Sequence, residues 1–260
     1  MKTSPVTFCN SSVEQVIDHS TKTTIIDGIR QCININIADW THRLIRNKKD
    51  ATYLQNPHLM SIASYGNRWM MYLTQINHMN VCILIERSIK PGYPYPKMLL
   101  VHFQFNEILY QNTLFDLEIL DNAKGHDTPL ILVCDILMMK NRDVTNWDPV
   151  RRTNTIHTIF DNQFTNNIHL QPSAIQVKRL FCMKNFNEMI ELVKALPYTT
   201  KGIHFLPLNS KYPTRTWIDT HKELVNGVML NEKESENIQT QETQETHVNQ
   251  NTMCNSLGSY

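Results

Sequence analysis

The chain has 260 residues, of which 41% are hydrophobic and 19% are charged, and its formal net charge at pH 7 is +1. This is the composition of an ordinary globular protein, and the length suffices for a sizeable buried core. No run approaches the roughly 18 uncharged apolar residues of a membrane span, and the first residues lack the basic-then-apolar pattern of a signal peptide. We therefore expect an intracellular protein, cytoplasmic or nuclear, without a membrane partner.

The charge is unevenly distributed along the chain. Residues 231–260 contain five Glu and one Lys, a charge of −4, so residues 1–230 carry +5. The segment 226–260 is polar and locally repetitive ("QTQETQET") and has too few apolar residues to offset the entropy of ordering, which predicts a disordered acidic tail. The mildly basic remainder is compatible with a polyanionic ligand but does not require one.

Two regions precede the tail. Residues 1–55 are predicted to be helical or irregular, with an amphipathic helix within residues 24–50 that ends in a basic cluster from Arg43 to Lys49. The Asn-Pro pair at 56–57 then indicates a break. Residues 56–225 form the predicted main domain.

From residue 66 onward the hydrophobic pattern has the period of strands. The runs "NRWMMYLTQI" and "MNVCILIERS" are joined by a polar "NH" pair, which predicts a hairpin. Further strands are predicted at "KMLLVHFQF", "NTLFDLEIL", "PLILVCDILMM", "AIQVKRLFCM" and "KGIHFLPL", and helices at "DPVRRTNTIHTIFDNQF", with Pro149 at its first position, and "NFNEMIELVKALP". The result is an α+β domain whose sheets are mainly antiparallel and flanked by helices.

Three acidic residues lie within these apolar runs. Asp116 and Glu118 are two residues apart on a predicted strand, so they share one face, which is either a solvated strand edge or part of a site. Asp135 lies in a run that would otherwise be fully buried, so its carboxylate needs a hydrogen-bonding partner or a ligand. Arg151 and Arg152 are predicted to lie on a solvated helix face rather than to hold a phosphate.

The order of the segments resembles the mRNA-capping guanylyltransferase branch of the covalent nucleotidyltransferase family, over roughly residues 58–218. The first motif of that family is Lys-x-Asp-Gly followed by a basic residue, and in "IASYGNRWMMYL" Gly66 and Arg68 match its glycine and basic residue. In "TLFDLEIL", Asp116 and Glu118 match the acids of the Asp-Gly-Glu motif. The resemblance implies a nucleotidyltransferase-like α+β fold.

Two later motifs extend the resemblance. The segment "LILVCDILMMKNRDVTNWDPVRR" is similar to the family's apolar strand with an aspartate, followed by an arginine-containing helix. The segment "TTKGIHFLPL" keeps the glycine of a late acidic-Gly motif at Gly202. Of the family's final lysine-rich motif only Trp217, with Arg215 and Lys222 nearby, is retained.

Four departures from the family pattern concern the chemistry. The lysine that bonds GMP falls on Ala63, which has no lone pair for attack on an α-phosphate. The motif aspartate falls on Tyr65, the middle glycine on Leu117 and the late acid on Lys201. A metal-binding carboxylate replaced by a cation favours a bare phosphate over Mg²⁺. The sequence therefore predicts an inactive guanylyltransferase-like domain, a pseudoenzyme, without the C-terminal OB domain.

The resemblance implies binding of a capped RNA 5′ end or a guanine nucleotide, as in the cap-binding domain of snurportin, which is similar to this fold and also lacks the lysine. The nucleotide- or cap-binding residues it implies are Arg68, Trp69, Asp116, Glu118, Asp135, Lys178 and Lys201. No catalytic or metal-binding residue and no cofactor is predicted, with Mg²⁺ or Mn²⁺ expected only if the protein is active. Aromatic rings attract the cationic methylated guanine, and the candidates are Tyr65, Trp69, Tyr72, Trp147 and Trp217.

Two alternatives remain open. The domain is a scaffold or regulatory partner of a capping or transcription protein, with residues 43–49 and the acidic tail as its contacts. Otherwise it is an active guanylyltransferase that uses a displaced lysine, Lys178 or Lys201.

Overall fold

The computed structural model describes residues 1–34, 42–45, 52–54, 58–121, 129–208 and 215–218. These residues belong to two compact units. The large-sheet unit takes its described residues from Met1–Trp40, Gly66–Trp147 and Arg151–Lys178, and the small-sheet unit from Thr41–Tyr65, Asp148–Val150 and Arg179–Tyr260.

The large-sheet unit is built on a sheet of nine strands among the described residues. Along the sheet the order is β1-β2-β7-β6-β5-β9-β10-β11, and β13 pairs with β10 in parallel while the other neighbours are antiparallel. The strands are β1 (Thr3–Phe8), β2 (Ser11–Val16), β5 (Asn67–Ile76), β6 (Met79–Glu86), β7 (Met98–Val101), β9 (Thr113–Leu120), β10 (Leu130–Met139), β11 (Arg142–Asp143) and β13 (Ala174–Val177). A separate pair joins β8 (Gln104–Phe105) to β12 (Phe164–Thr165).

The small-sheet unit contains a five-stranded sheet in the order β14-β4-β15-β16-β3. Its strands are β3 (His42–Ile45), β4 (His58–Ser64), β14 (Phe181–Cys182), β15 (Thr200–Pro207) and β16 (Arg215–Ile218). Every residue of β4 is buried. Met60 and Ile62 of β4 pack in one apolar cluster with Phe205 of β15 and Met189, which lies on a helix of this unit.

Three α-helices are described: α1 (His19–Cys32), α2 (Pro149–Asn162) and α3 (Phe186–Ala195). Asp18 caps α1 by accepting from the Thr21 backbone N–H at 3.3 Å, which satisfies one of the unpaired groups at the helix start. The predicted helices at 149 and 186 are confirmed, and Pro149 is the first residue of α2. None of the described helices is long and apolar enough to cross a membrane.

The two faces of β5 have different surroundings because side chains alternate along a strand. Trp69, Met71 and Leu73 lie in the main apolar core, together with Ile156 and Ile159 of α2. The other face carries the side chain of Arg68. Met70 and Tyr72 share that face and are buried, so the alternation places Arg68 beside buried side chains on the face opposite the main apolar core.

The predicted hairpin and the mainly antiparallel α+β fold are confirmed. Strands β5 and β6 pair from Ile76↔Met79 to Trp69↔Glu86. The linking residues Asn77 and His78 have φ of 52° and 63°, the left-handed values that a two-residue hairpin turn of type I′ requires. The turn thereby fixes which residue of β6 faces each residue of β5.

Several predicted elements were wrong in detail. The N-terminal region contains two strands, β1 and β2, that were not predicted, and its helix spans His19–Cys32 rather than residues farther along. Residues 42–45 of the predicted basic helix end form strand β3. The run "AIQVKRLFCM" is not one strand, because β13 joins the large sheet and β14 the small one. Likewise "KMLLVHFQF" divides into β7 and β8.

Other predictions lie outside the described residues. These are the disordered tail 226–260, the missing OB domain, Lys222 and residues 46–49 of the basic cluster. The domain boundaries at 55/56 and 225/226 also stay predictions.

His78 offers a test of the hairpin turn. We expect His78→Gly to raise the free energy of unfolding by a few tenths to about 1 kcal/mol, because glycine adopts positive φ without the steric penalty of a side chain. Met79, exposed but in extended β6, is the matched control, and Met79→Gly should lower stability. Urea unfolding measures both, and a His78→Gly variant destabilised like the control would contradict the turn.

Candidate functional site

Five charged side chains meet on one face of the large sheet, and we call them the charged cluster. Arg68 is on β5, Asp116 and Glu118 are on β9, Arg87 follows β6 and Lys178 follows β13. Arg68 lies directly opposite Glu118 in the β5–β9 ladder. The Arg87 N–H donates to the Arg68 carbonyl at 3.0 Å and the Lys178 N–H to the Val133 carbonyl at 2.8 Å, so backbone pairing positions both cations.

The two carboxylates of the charged cluster are buried and paired with cations. Arg68 Nη2 lies 2.6 Å from Asp116 Oδ2, and Arg87 Nη1 lies 3.3 Å from Asp116 Oδ1. Lys178 Nζ lies 2.7 Å from Glu118 Oε2, and Arg68 Nη1 lies 4.0 Å from the same oxygen. Asp116 is 0% and Glu118 1% exposed, so without these partners each would carry a large desolvation penalty.

Cations outnumber carboxylates among the five side chains of the charged cluster. Three cationic side chains face two carboxylates, and several of the five make further contacts. Arg68 is the most exposed of the three cations, with 15% of its side chain accessible. Inside a protein such a charge acts in a lower effective dielectric than water, so the arrangement favours an anionic ligand.

A cysteine thiol borders the charged cluster. Cys134 Sγ lies 3.7 Å from Arg68 Nη1. Burial raises the pKa of the Cys134 thiol, while the nearby Lys178 and Arg68 cations oppose that rise. The thiolate is the nucleophilic form, so a raised pKa keeps Cys134 in its unreactive neutral form at physiological pH.

Gly66 allows the chain to approach Glu118 closely. A Cβ atom at residue 66 would overlap Glu118 Cγ and would lie 2.8 Å from Leu120 Cδ2 and 3.0 Å from the Ile119 carbonyl oxygen. Only a residue without a side chain fits beside this part of β9. The glycine that matched the first family motif thus packs on the glutamate that matched the second.

Ala63, the residue on which the family lysine is predicted to fall, lies in the small-sheet unit. Ala63 on β4 is fully buried, and its partner in the ladder is Gly202 on β15. The β4–β15 register shifts between Thr200 and Gly202, so Lys201 lies at a bulge. Lys201 Nζ is 5.7 Å from the ring centroid of Tyr65, whose side chain is exposed.

The family comparison agrees with this arrangement of motifs. The sequence model of a protein family, described as the mRNA capping enzyme, catalytic domain, matches residues 44–223. The chain belongs to the mRNA capping enzyme family. No curated protein matched the chain in a separate comparison.

Asp135 of this capping-enzyme domain has a structural partner. Its Oδ1 is 2.8 Å from Arg152 Nε and its Oδ2 is 3.1 Å from Arg152 Nη2, a two-point contact within the large-sheet unit. Arg152 also donates to the Trp147 carbonyl oxygen and is fully buried, so its predicted place on a solvated helix face was wrong. The pair fixes the start of α2 against β10.

The candidate aromatic residues differ in accessibility. Trp69 lies in the core with its ring 5.9 Å from that of Phe8, and Tyr72 is buried with its hydroxyl donating to Asn112. The ring of Trp147 lies 3.9 Å from the Arg151 guanidinium carbon. Tyr65 is the exposed ring, and nothing is described for the side chain of Trp217.

The structure thus brings together four of the predicted site residues, Arg68, Asp116, Glu118 and Lys178. Sequence reasoning missed Arg87, although the signal was available. In the predicted hairpin with Asn77–His78 as its turn, the residue that faces Arg68 is Arg87. Leu117, where the resemblance predicts a glycine, points into the apolar core on the opposite face of β9.

Gly66→Ala tests the close approach to Glu118. We expect a loss of roughly 1–3 kcal/mol in the free energy of unfolding, because the new methyl group must displace buried atoms of β9. Gly28→Ala in α1 is the matched control, since its Cβ would meet only the Tyr72 hydroxyl oxygen at 3.7 Å. That control should be stabilised by about 1 kcal/mol through helix propensity. Equal stability of both variants in chemical denaturation would refute the overlap.

Arg152→Met tests the buried pair with Asp135. We expect a loss of roughly 3–5 kcal/mol in unfolding free energy, because the Asp135 carboxylate would stay buried without its guanidinium. Arg151→Met is the control, since Arg151 is exposed and contacts the Trp147 ring. A second variant, Asp135→Asn with Arg152→Met, should recover part of the loss. Guanidinium unfolding curves in which both single variants lose equally little would rule out the pair as a stabilising contact.

Proposed function

We propose that this domain binds a guanine nucleotide or the capped 5′ end of an RNA through its phosphates, without forming a covalent bond to GMP. The observation that carries the proposal is the charged cluster, which keeps the motif residues Arg68, Asp116 and Glu118 and in which cations outnumber carboxylates. The membership in the mRNA capping enzyme family supports a guanylyltransferase-like ligand.

Three side chains at or beside the motifs bear on the proposed lack of covalent chemistry. Ala63 has no atom that can attack a phosphorus. Lys178 Nζ is held 2.7 Å from Glu118 Oε2, and an ammonium group in an ion pair has no lone pair to donate. Cys134 is kept as a thiol by burial.

The proposed phosphate contacts are Arg68 and Lys178. Lys178 Nζ lies 2.7 Å and Arg68 Nη1 lies 4.0 Å from the same Glu118 oxygen, so the two cations are close enough to bind one phosphate together. Lys201 stays a proposed contact on the resemblance alone. Trp69 would have to leave the core before a base could stack on it.

A specific observation favours each alternative. The scaffold role is favoured by the N-terminal elements. Strands β1 and β2 and helix α1 lie outside the matched residues 44–223, and β2 extends the large sheet through β7, as an added binding module would.

The active-enzyme alternative is favoured by the Lys178–Glu118 contact, from which a displaced lysine could react after deprotonation.

The first test is incubation with α-labelled GTP and Mg²⁺ or Mn²⁺, followed by denaturing electrophoresis. We expect no acid-stable label on the protein, beside an active capping enzyme that does become labelled. A label would contradict the proposal. If Lys178→Met abolished that label and the control Lys194→Met did not, Lys178 would be the nucleophile.

The second test is a titration with capped and uncapped RNA oligonucleotides. We expect saturable binding that weakens about tenfold or more in Lys178→Met, because a charge-assisted contact to phosphate is lost. Lys194 is the matched control, since it is exposed on α3 and pairs with Glu191. Absence of binding by the folded wild-type protein would leave the scaffold role as the better description.

A further inference from the structure

Capping-enzyme chemistry normally uses a divalent metal, and the motif carboxylates that the structure describes do not fit one. We infer that the charged cluster excludes Mg²⁺ and Mn²⁺ and takes the ligand's phosphate directly on its cations. This inference rests on the proposed function and concerns the same site. The inference is supported by the contacts that each acid of a family motif makes with neighbouring cations.

Asp116 has both carboxylate oxygens engaged by arginine. Oδ2 lies 2.6 Å from Arg68 Nη2 and Oδ1 lies 3.3 Å from Arg87 Nη1, and the side chain is fully buried. A metal ion at Asp116 would have to displace a guanidinium group that is itself largely buried. Both carboxylate oxygens of Asp116 are therefore already paired with arginine side chains of the chain itself.

Glu118 is held in the same way. Its Oε2 is 2.7 Å from Lys178 Nζ, and its Cγ lies against the backbone of Gly66, which restricts movement of the side chain toward another partner. An ammonium at this distance repels a divalent ion that approaches the same oxygen. Mg²⁺ also demands near-ideal octahedral coordination, which a carboxylate so constrained does not supply.

The other motif positions do not supply a metal ligand either. Asp135 is bound at both oxygens by Arg152, and the late motif acid is replaced by Lys201. In the described part of the chain no three His, Cys, Asp or Glu side chains are grouped so that they could hold a metal. The donor set is thus that of an anion site.

A consequence for ligand form follows. A nucleotide triphosphate bound to Mg²⁺ has part of its negative charge neutralised, so it is attracted less strongly to a site in which cations outnumber carboxylates. The metal-free nucleotide is therefore the better ligand of this domain. In a metal-dependent relative the opposite order would hold.

The test is calorimetric titration of the full chain with GTP, once in EDTA and once in excess Mg²⁺. We expect binding in EDTA to be at least as tight as in Mg²⁺, and Lys178→Met to weaken binding in EDTA by about tenfold or more while Lys194→Met does not. In a parallel titration with Mn²⁺ alone, the amount of bound Mn²⁺ is read from its electron paramagnetic resonance signal. We expect that amount to be the same for the wild type and for Glu118→Gln.

The outcomes separate the two proposals. GTP binding that is lost in EDTA, or Mn²⁺ binding that disappears in Glu118→Gln, overturns the exclusion of metal while the proposed function stands. No GTP binding in either buffer overturns the proposed function, and the Mn²⁺ titration still decides whether the charged cluster excludes metal.

Discussion

Burial of two carboxylates on β9 is the constraint on which the large-sheet unit depends. Asp116 and Glu118 cannot remain ionised inside the sheet unless cations accompany them. Those cations come from three separate stretches of chain, at Arg68, Arg87 and Lys178. The need for charge compensation therefore acts together with hydrophobic packing to hold β5, β6 and β13 in their places around β9 and β10.

The same constraint connects the fold to the chemistry proposed for it. In a metal-dependent transferase, carboxylates must be available for an ion and a lysine must be able to lose its proton. Here Lys178 and Glu118 satisfy each other, and Ala63 offers nothing in their place. What remains is a set of donors suited to holding phosphate oxygens. This is the basis of our proposal that the domain holds a phosphate without reacting with it.

The sequence predicted the regular part of the fold well because its signals were strong there. The hairpin of β5 and β6 has two long apolar runs and a turn that favours positive φ, and α2 begins with a proline that fixes its start. Strand β1 was missed because Pro5 lies within it and proline argues against a strand. The division of "AIQVKRLFCM" between two sheets could not be predicted, since an apolar run does not say which sheet it joins.

For the site, the sequence indicated Arg68, Asp116 and Glu118 through motifs and Lys178 as a candidate phosphate contact, and the structure brings the four together. Asp135 was expected to need a partner, and that partner is Arg152, which was misjudged because the buried face of a helix depends on where the core lies. Trp69 was expected at the site and lies in the core. It is adjacent to Arg68 in sequence, and the alternation of the strand sends its ring to the opposite face of the sheet.

The β5–β6 hairpin also bears on how this chain can change over evolutionary time. Arg68 and Arg87 reach Asp116 together only because equal numbers of residues separate them from the turn at Asn77–His78. A substitution within either strand alters one contact and leaves the others in place. An insertion or deletion of one residue there would move an arginine to the hydrophobic face and leave a buried carboxylate short of a cation. We therefore expect homologues to vary in the side chains of this hairpin, with changes of length confined to its tip.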